Sequence, residues 1–220
     1  MELKDIYRNV CARISAASRG RSITLIAVSK TQPIEKIRAL YELGHRDFGE
    51  NYVQELIQKS QELKETCPDL RWHFIGHLQS NKVKSLLPIV SSIQSVHSLE
   101  LAQEISKRWM NGGFSGLIPI FLEVNIDSED SKSGFVINEI QSASKKVKAL
   151  QGVDLRGLMC IPSPSSEPAR AFRELRELSV SSDVFTKKEL SMGMSSDFEI
   201  ALHEGATHVR LGTVLFGERS

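Results

Sequence analysis

Eight short apolar runs, separated by segments with helical spacing, constrain this chain more than any other feature of its sequence. The runs lie at 23–29, 46–48, 71–75, 93–97, 118–125, 155–161, 188–192 and 208–212. Most are continuous rather than alternating, the pattern of parallel strands covered on both faces. Between them, apolar residues recur at helical intervals. Ile34, Ile37, Leu40, Tyr41 and Leu43 precede Gly44, and Val53, Leu56 and Ile57 follow Asn51 as a candidate N-cap. Leu101, Ala102, Ile105 and Trp109 follow Ser98, while Ile137, Ile140, Ala143, Val147 and Leu150 end at Gly152. Phe172, Leu175 and Leu178 follow Ser166 and Pro168, a good helix opening.

Such alternation points to a parallel sheet, and a chain of 220 residues closes it most simply as one (β/α)8 TIM barrel over 1–220. An open doubly wound sheet would need a glycine-rich turn after its first strand, and Ser29-Lys30-Thr31-Gln32-Pro33 contains no glycine. Too little chain follows the eighth run for a full outer helix. The stripe Leu3, Ile6, Val10, Ile14 and Ala17 predicts a helix within 1–20 that packs on the barrel where the missing one would have been.

A net charge of +1 gives no electrostatic reason to expect nucleic acid or anionic membrane as a partner. Three widely spaced cysteines offer neither a disulfide framework nor a zinc site and suit a reducing compartment. No apolar stretch approaches the roughly 20 residues that span a bilayer, and Glu2 and Asp5 near the start argue against a secretory or transit segment. A cytoplasmic monomer is the expectation.

In a barrel of this kind chemistry belongs at the C-terminal ends of the strands. Lys30 closes the first run, with no carboxylate beside it in sequence; desolvation there would lower its pKa and ready it for a carbonyl. A solvated rim lysine is the plain alternative. After runs seven and eight come Gly193, Ser195 and Ser196, then Gly212 and Thr213. These loops are a frequent phosphate cradle, and Ser195 or Ser196 is expected to open a helix whose positive end faces an anion. Arg210 and Gly212 share one side of strand eight. An arginine there either pairs with a carboxylate such as Glu123 or donates to an uncharged ring nitrogen of a ligand. His73 and His77, on a strand and its exit, are read as core or rim histidines, not metal ligands. Walker, nucleophile-elbow and His-Glu-x-x-His motifs are absent. An imine-forming lysine, a phosphate cradle and an arginine for a ring nitrogen together describe pyridoxal 5′-phosphate (PLP).

From about Ile23 to Arg219 the chain resembles the pyridoxal phosphate homeostasis protein family, one-barrel relatives of the alanine racemase N-terminal barrel. The resemblance is carried by Ala27-Val28-Ser29-Lys30, Phe48-Gly49-Glu50-Asn51-Tyr52 and Ile75-Gly76-His77-Leu78-Gln79-Ser80-Asn81-Lys82. It continues through Ser131-Lys132-Ser133-Gly134, Arg156-Gly157-Leu158-Met159, Met192-Gly193-Met194-Ser195-Ser196-Asp197 and Val209-Arg210-Leu211-Gly212-Thr213. It implies that Lys30 holds PLP as a Schiff base and that Ser195, Gly212 and Thr213 hold the phosphate. Arg210 would face the pyridine nitrogen, Asn51 and Met159 would line the cofactor, and Lys132 would have an accessory role. The segment Ser179–Lys188 looks shorter than in relatives, so a truncated outer helix is expected there.

Three functions compete: a PLP carrier in cofactor homeostasis with no turnover, a PLP-dependent racemase or decarboxylase, and a cofactor-free Schiff-base aldolase. The carrier is preferred. Arginine at the ring nitrogen blunts the electron sink that carbanion chemistry uses, and no added β domain is expected to bring a second proton-transfer base. Its expected partners are PLP itself, PLP-dependent apo-enzymes and amino acids.

Overall fold

A computed structural model describes residues 2–129, 131–185 and 187–217. Both ends of the expected 1–220 unit, and the Arg219 end of the resemblance, fall outside the described residues. Eight strands, all parallel, close in sequence order into a barrel. They are β1 (Thr24–Val28), β2 (Asp47–Glu50), β3 (Arg71–Phe74), β4 (Val90–Val96), β5 (Ile118–Val124), β6 (Val153–Cys160), β7 (Glu189–Ser191) and β8 (His208–Leu211). Closure comes from β1 pairing with β8, with Ile26 opposite Arg210 and Ala27 opposite Leu211.

The helices follow the apolar stripes. They are α1 (Leu3–Ser18), α2 (Ile34–Glu42), α3 (Val53–Leu63), α4 (Val83–Leu86), α5 (Leu99–Asn111), α6 (Ile140–Lys148), α7 (Pro168–Val180), α8 (Phe198–His203) and α9 (Thr213–Phe216). The stripe residues Ile37, Leu40, Leu56, Leu101, Ile105, Val147, Phe172 and Leu175 are buried in one apolar layer with the outward-facing strand residues Ala27, Phe48, Phe74 and Leu211. Ser98 caps α5, its Oγ accepting the Leu101 N–H at 3.1 Å. Asn51 does not cap α3; Tyr52 occupies that position and makes no side-chain cap bond. The helix expected from Ile137 opens as a 3-10 turn over Ile137–Glu139 before α6.

Among the described residues β8 is followed by the four-residue α9, and α1 packs against α8, α9 and α2 beside it. Arg21, just beyond α1, ties this arrangement down by donating to the carbonyls of Ser18, Ala206 and Leu202. The helix α7 runs over 13 residues to Val180, so of the stretch Ser179–Lys188 only its first two residues are helical and the described rest is turn and irregular chain leading to β7; Thr186 within that stretch lies outside the described residues.

Strand limits moved where the barrel interior is polar. β4 starts at Val90, three residues before the apolar run, because Ser92 points inward to bond His73 at 2.7 Å. β2 extends to Glu50 although Asp47 and Gly49 interrupt its apolar character. A methyl on Gly49 would meet Ile26 at 2.7 Å and Ile75 at 3.0 Å, so the barrel interior is filled at that level. Toward the N-terminal ends of the strands, His73 bridges Ser92 and Asp47 (2.9 Å), and Asp47 takes two bonds from Arg71 at 2.7 and 2.6 Å. His73 is thus a core histidine, whereas His77 stacks on His97 at the opposite rim with ring centroids 4.3 Å apart.

His208 lies in the same interior, edge-on to Phe121 and 2.8 Å from Thr207 Oγ1. Burial lowers its pKa from 6.5 to about 3, reinforced by His73, Arg210 and Arg156 and opposed by Asp47. A base whose folded pKa is depressed stabilises the fold above its unfolded pKa and withdraws that stability as pH falls. His208 should therefore cost the protein stability, on the order of a few kcal/mol, between pH 6.5 and about 3. Urea midpoints of the wild type and His208→Asn across that window test this. The difference between the two profiles should slope, and parallel profiles would contradict it.

Candidate functional site

At the C-terminal ends of β1, β7 and β8 the chain encloses a cavity of about 590 Å³. Lys30, Ser195, Arg210, Gly212 and Thr213 line it, together with Val28, Gln32, Met194, Ser196, Val214 and Gly217. No carboxylate is among these residues. Five of the seven site residues expected from sequence therefore share one cavity. The β1–β8 seam explains why: the two strands that close the barrel deliver Lys30 and Gly212-Thr213 side by side.

Lys30 stands two residues beyond β1, not at its end, and is partly buried. It occupies a tight turn closed by the Gln32 N–H donating to the Ser29 carbonyl at 3.0 Å. The residue after it, Thr31, has φ 62°. A left-handed β-branched residue is unusual enough to mark a constrained position.

Arg210 is 4 % exposed and reaches across the barrel interior. It donates to Ser191 Oγ at 2.6 Å and to the Cys160 carbonyl at 2.9 Å, and Ser191 Oγ in turn donates to Gln94 Oε1 at 2.7 Å. The ion pair with Glu123 anticipated as one alternative does not form: Glu123 is not among its hydrogen-bond or ion-pair partners. Burial lowers the guanidinium pKa, with Cys160, Asp197 and Glu123 acting in the other direction. Burial likewise pushes the Glu123 carboxyl up to about 7, with Arg210 pulling it back.

The hydroxyl side of the cavity differs in detail from the expected cradle. Neither Ser195 nor Ser196 opens a helix: they lie in a turn, and α8 begins at Phe198 after Asp197. The Asp197 carboxylate accepts the Met194 N–H at 2.6 Å, which folds this turn. Ser195 Oγ accepts the Val214 N–H at 3.2 Å, binding the β7 and β8 loops together. Gly193 does not line the cavity. Its φ is +92°, and a methyl there would lie 2.5 Å from Ala201 Cβ, so it serves packing against α8. At Gly212 a methyl would meet Val28 Cβ at an ordinary 3.5 Å.

The remaining expected residues sit elsewhere. Met159 is fully buried and pairs in register with Glu123 and Ser191, outside the cavity lining. Asn51 is also outside it, with a buried Oδ1 that has no hydrogen-bond partner among the described residues. Lys132 lines a separate cavity of about 190 Å³ with His77, Glu123, Asn125, Ser133 and Ile161. Its ammonium lies 3.3 Å from Glu129 and 3.9 Å from Asp127.

Missed from sequence were Gln32, Met194 and Val214 in the lining, and a polar cluster beneath the Lys30 turn. Its members are Ser29, Glu50, Glu55 and Lys59. The Glu55–Lys59 spacing of four on a helix was the available signal.

The family described as "Alanine racemase, N-terminal domain" matches residues 2–220. A Pseudomonas aeruginosa protein named pyridoxal phosphate homeostasis protein is 43% identical over 220 residues, covering 96% of this chain and 93% of that one. Among solved structures, PipY of Synechococcus elongatus PCC7942 with PLP bound is similar at TM-score 0.84 and 33% identity, over 98% of this chain and 100% of that one. An alanine racemase from Clostridium difficile shares the barrel alone, at TM-score 0.70 and 17% identity over 98% of this chain and 56% of that one. The chain belongs to the pyridoxal phosphate homeostasis protein family, whose barrel is the alanine racemase N-terminal domain.

Proposed function

We propose that this protein binds PLP through Lys30 and acts as a carrier in PLP homeostasis, handing the cofactor to apo-enzymes without turnover of its own. The observation that carries this reading is the chemistry of one cavity. An amine, a buried guanidinium and the hydroxyls of Ser195 and Thr213 converge there, with no carboxylate in the lining. That donor set suits a phosphate monoester attached to an aromatic aldehyde. Bound PLP supplies an aldehyde that condenses reversibly with amines.

Lys30 would make the covalent attachment, while Ser195, Thr213 and the backbone at Gly212 would hold the phosphate. Arg210, fixed by Ser191 and Cys160, would face the ring nitrogen and, being cationic, keep it unprotonated. Met159 and Asn51 would contribute from just outside the lining. That PipY has been solved with PLP, and that relatives carry a homeostasis name, support the same reading.

Borohydride reduction of the PLP-loaded protein, followed by peptide mapping, tests the attachment. The phosphopyridoxyl group should sit on Lys30, and Lys30→Ala should abolish the visible band. A label found chiefly on Lys132 or Lys82 would overturn the assignment.

A second reading, an amino-acid racemase or decarboxylase, is favoured by one observation. Glu123, with its carboxyl raised to about 7, borders the barrel mouth with a pKa suited to proton transfer near neutrality. Rapid α-deuteration of L-alanine in deuterated water, lost in Lys30→Ala, would decide for the enzyme.

A further inference from the structure

Lys59, a helical lysine behind the cavity wall, spends its whole hydrogen-bonding capacity on the turn that bears Lys30 and on two carboxylates that are bonded to that turn. It sits on α3 at 5 % exposure. An ammonium has three donors and no acceptor. The three go to the Ser29 carbonyl at 2.6 Å, Glu50 Oε1 at 2.8 Å and Glu55 Oε1 at 2.6 Å. Both carboxylate oxygens then reach the same turn. Glu50 Oε1 accepts from Ser29 Oγ at 2.7 Å, and Glu55 Oε1 accepts the Thr31 N–H at 2.6 Å. The residues immediately before and after Lys30 are thereby tied to one buried charge.

The turn needs such a hold. Thr31 is its third residue, where a left-handed conformation favours glycine or asparagine, yet a β-branched side chain stands there with φ 62°. Strain of this kind persists only where surrounding bonds over-determine it. Burying an ammonium against two carboxylates is also a costly way to stabilise a helix. Glu50 is fully buried, and its Oε2 has no hydrogen-bond partner among the described residues. Apolar residues at 50, 55 and 59 together would fill the same space between α3 and the barrel without that cost.

We infer that Lys59 is a positioning residue for Lys30, acting with Glu50 and Glu55 as a clamp that holds the Ser29–Gln32 turn in the conformation presenting the Lys30 amine to the cavity. The inference rests on Lys30 being the reactive amine of the proposed carrier.

The test compares the wild type with Lys59→Met and with Glu55→Ala. Competitive acetylation by trace labelled acetic anhydride across pH gives the reactivity profile of Lys30 without any cofactor, with the exposed Lys107 as internal reference. Borohydride trapping of added PLP supplies the second readout. In both variants the midpoint of the Lys30 profile should move, and the rate of phosphopyridoxyl labelling at Lys30 should fall at least tenfold, while Lys107 stays unchanged. Should Lys59→Met fail to fold, Glu55→Ala carries the test, since the Glu55 side chain is 23% exposed and its loss frees only the Thr31 N–H and one Lys59 donor. A Lys30 acetylation profile identical to wild type in the folded variants would overturn the clamp. PLP trapping at another lysine in the wild type would instead overturn the carrier site, leaving the acetylation result to judge the clamp by itself.

Discussion

Gly157→Ala should be the most damaging single-methyl addition in the barrel. A methyl there would lie 1.8 Å from the Glu189 carbonyl oxygen and within 2.8 Å of that residue's backbone carbon and nitrogen. The obstacle is main chain paired in register across β6 and β7, not a flexible side chain that could swing away. Accommodating it requires the two strands to separate, so the cost should reach about 3 kcal/mol or more, the upper end for overpacking. In a protein of this size that corresponds to a fall of roughly 10 °C in Tm. The strain also reaches the site, because β6 provides the Cys160 carbonyl that orients Arg210. Gly212→Ala is the control. Its methyl meets only an ordinary 3.5 Å contact with Val28, so stability should change little. Thermal unfolding of the two variants checks both statements, and equal midpoints would refute the backbone argument.

Removing two hydroxyls should separate phosphate recognition from everything else the cavity does. Ser195 and Thr213 line it from opposite loops, one after β7 and one after β8. A hydrogen bond to a charged group contributes about 1.5–3 kcal/mol. Ser195→Ala combined with Thr213→Val should thus weaken PLP binding by roughly 10²- to 10⁴-fold. Ser195 has a structural task as well, since its Oγ accepts the Val214 N–H. Any loss from loosening that loop contact falls equally on pyridoxal, which lacks the phosphate. Pyridoxal affinity should therefore drop far less than PLP affinity. Parallel losses for the two ligands, measured by spectral titration, would remove the phosphate role.

Residues of the candidate site were legible in proportion to how directly strand order places them. Lys30 and Ser195 follow the first and seventh strands, Arg210 lies within the eighth and Gly212 and Thr213 follow it, and barrel closure makes those strands neighbours. Asn51 and Met159, inferred from resemblance, lie outside the cavity lining because their distance from it depends on side-chain packing within the barrel. The expected helix at Ser195 failed for a local reason: Asp197 captures the Met194 amide and turns the chain before α8 can begin.

The barrel itself was decided by sequence alone. Period and order of apolar runs are local properties, and parallel strands joined by helices leave few ways to bury them. Where the inner face is polar, at Asp47, Gly49 and Ser92, the same signal weakened and the strand limits shifted. Only the tertiary structure could choose between partners for Arg210, turning it to Ser191 and Cys160 and not to Glu123. Only it could bring Lys59 under a turn that lies 30 residues away in the chain. Hydrogen bonds between groups so far apart leave no periodic trace in sequence, because any residue of suitable length on the facing helix could have made them.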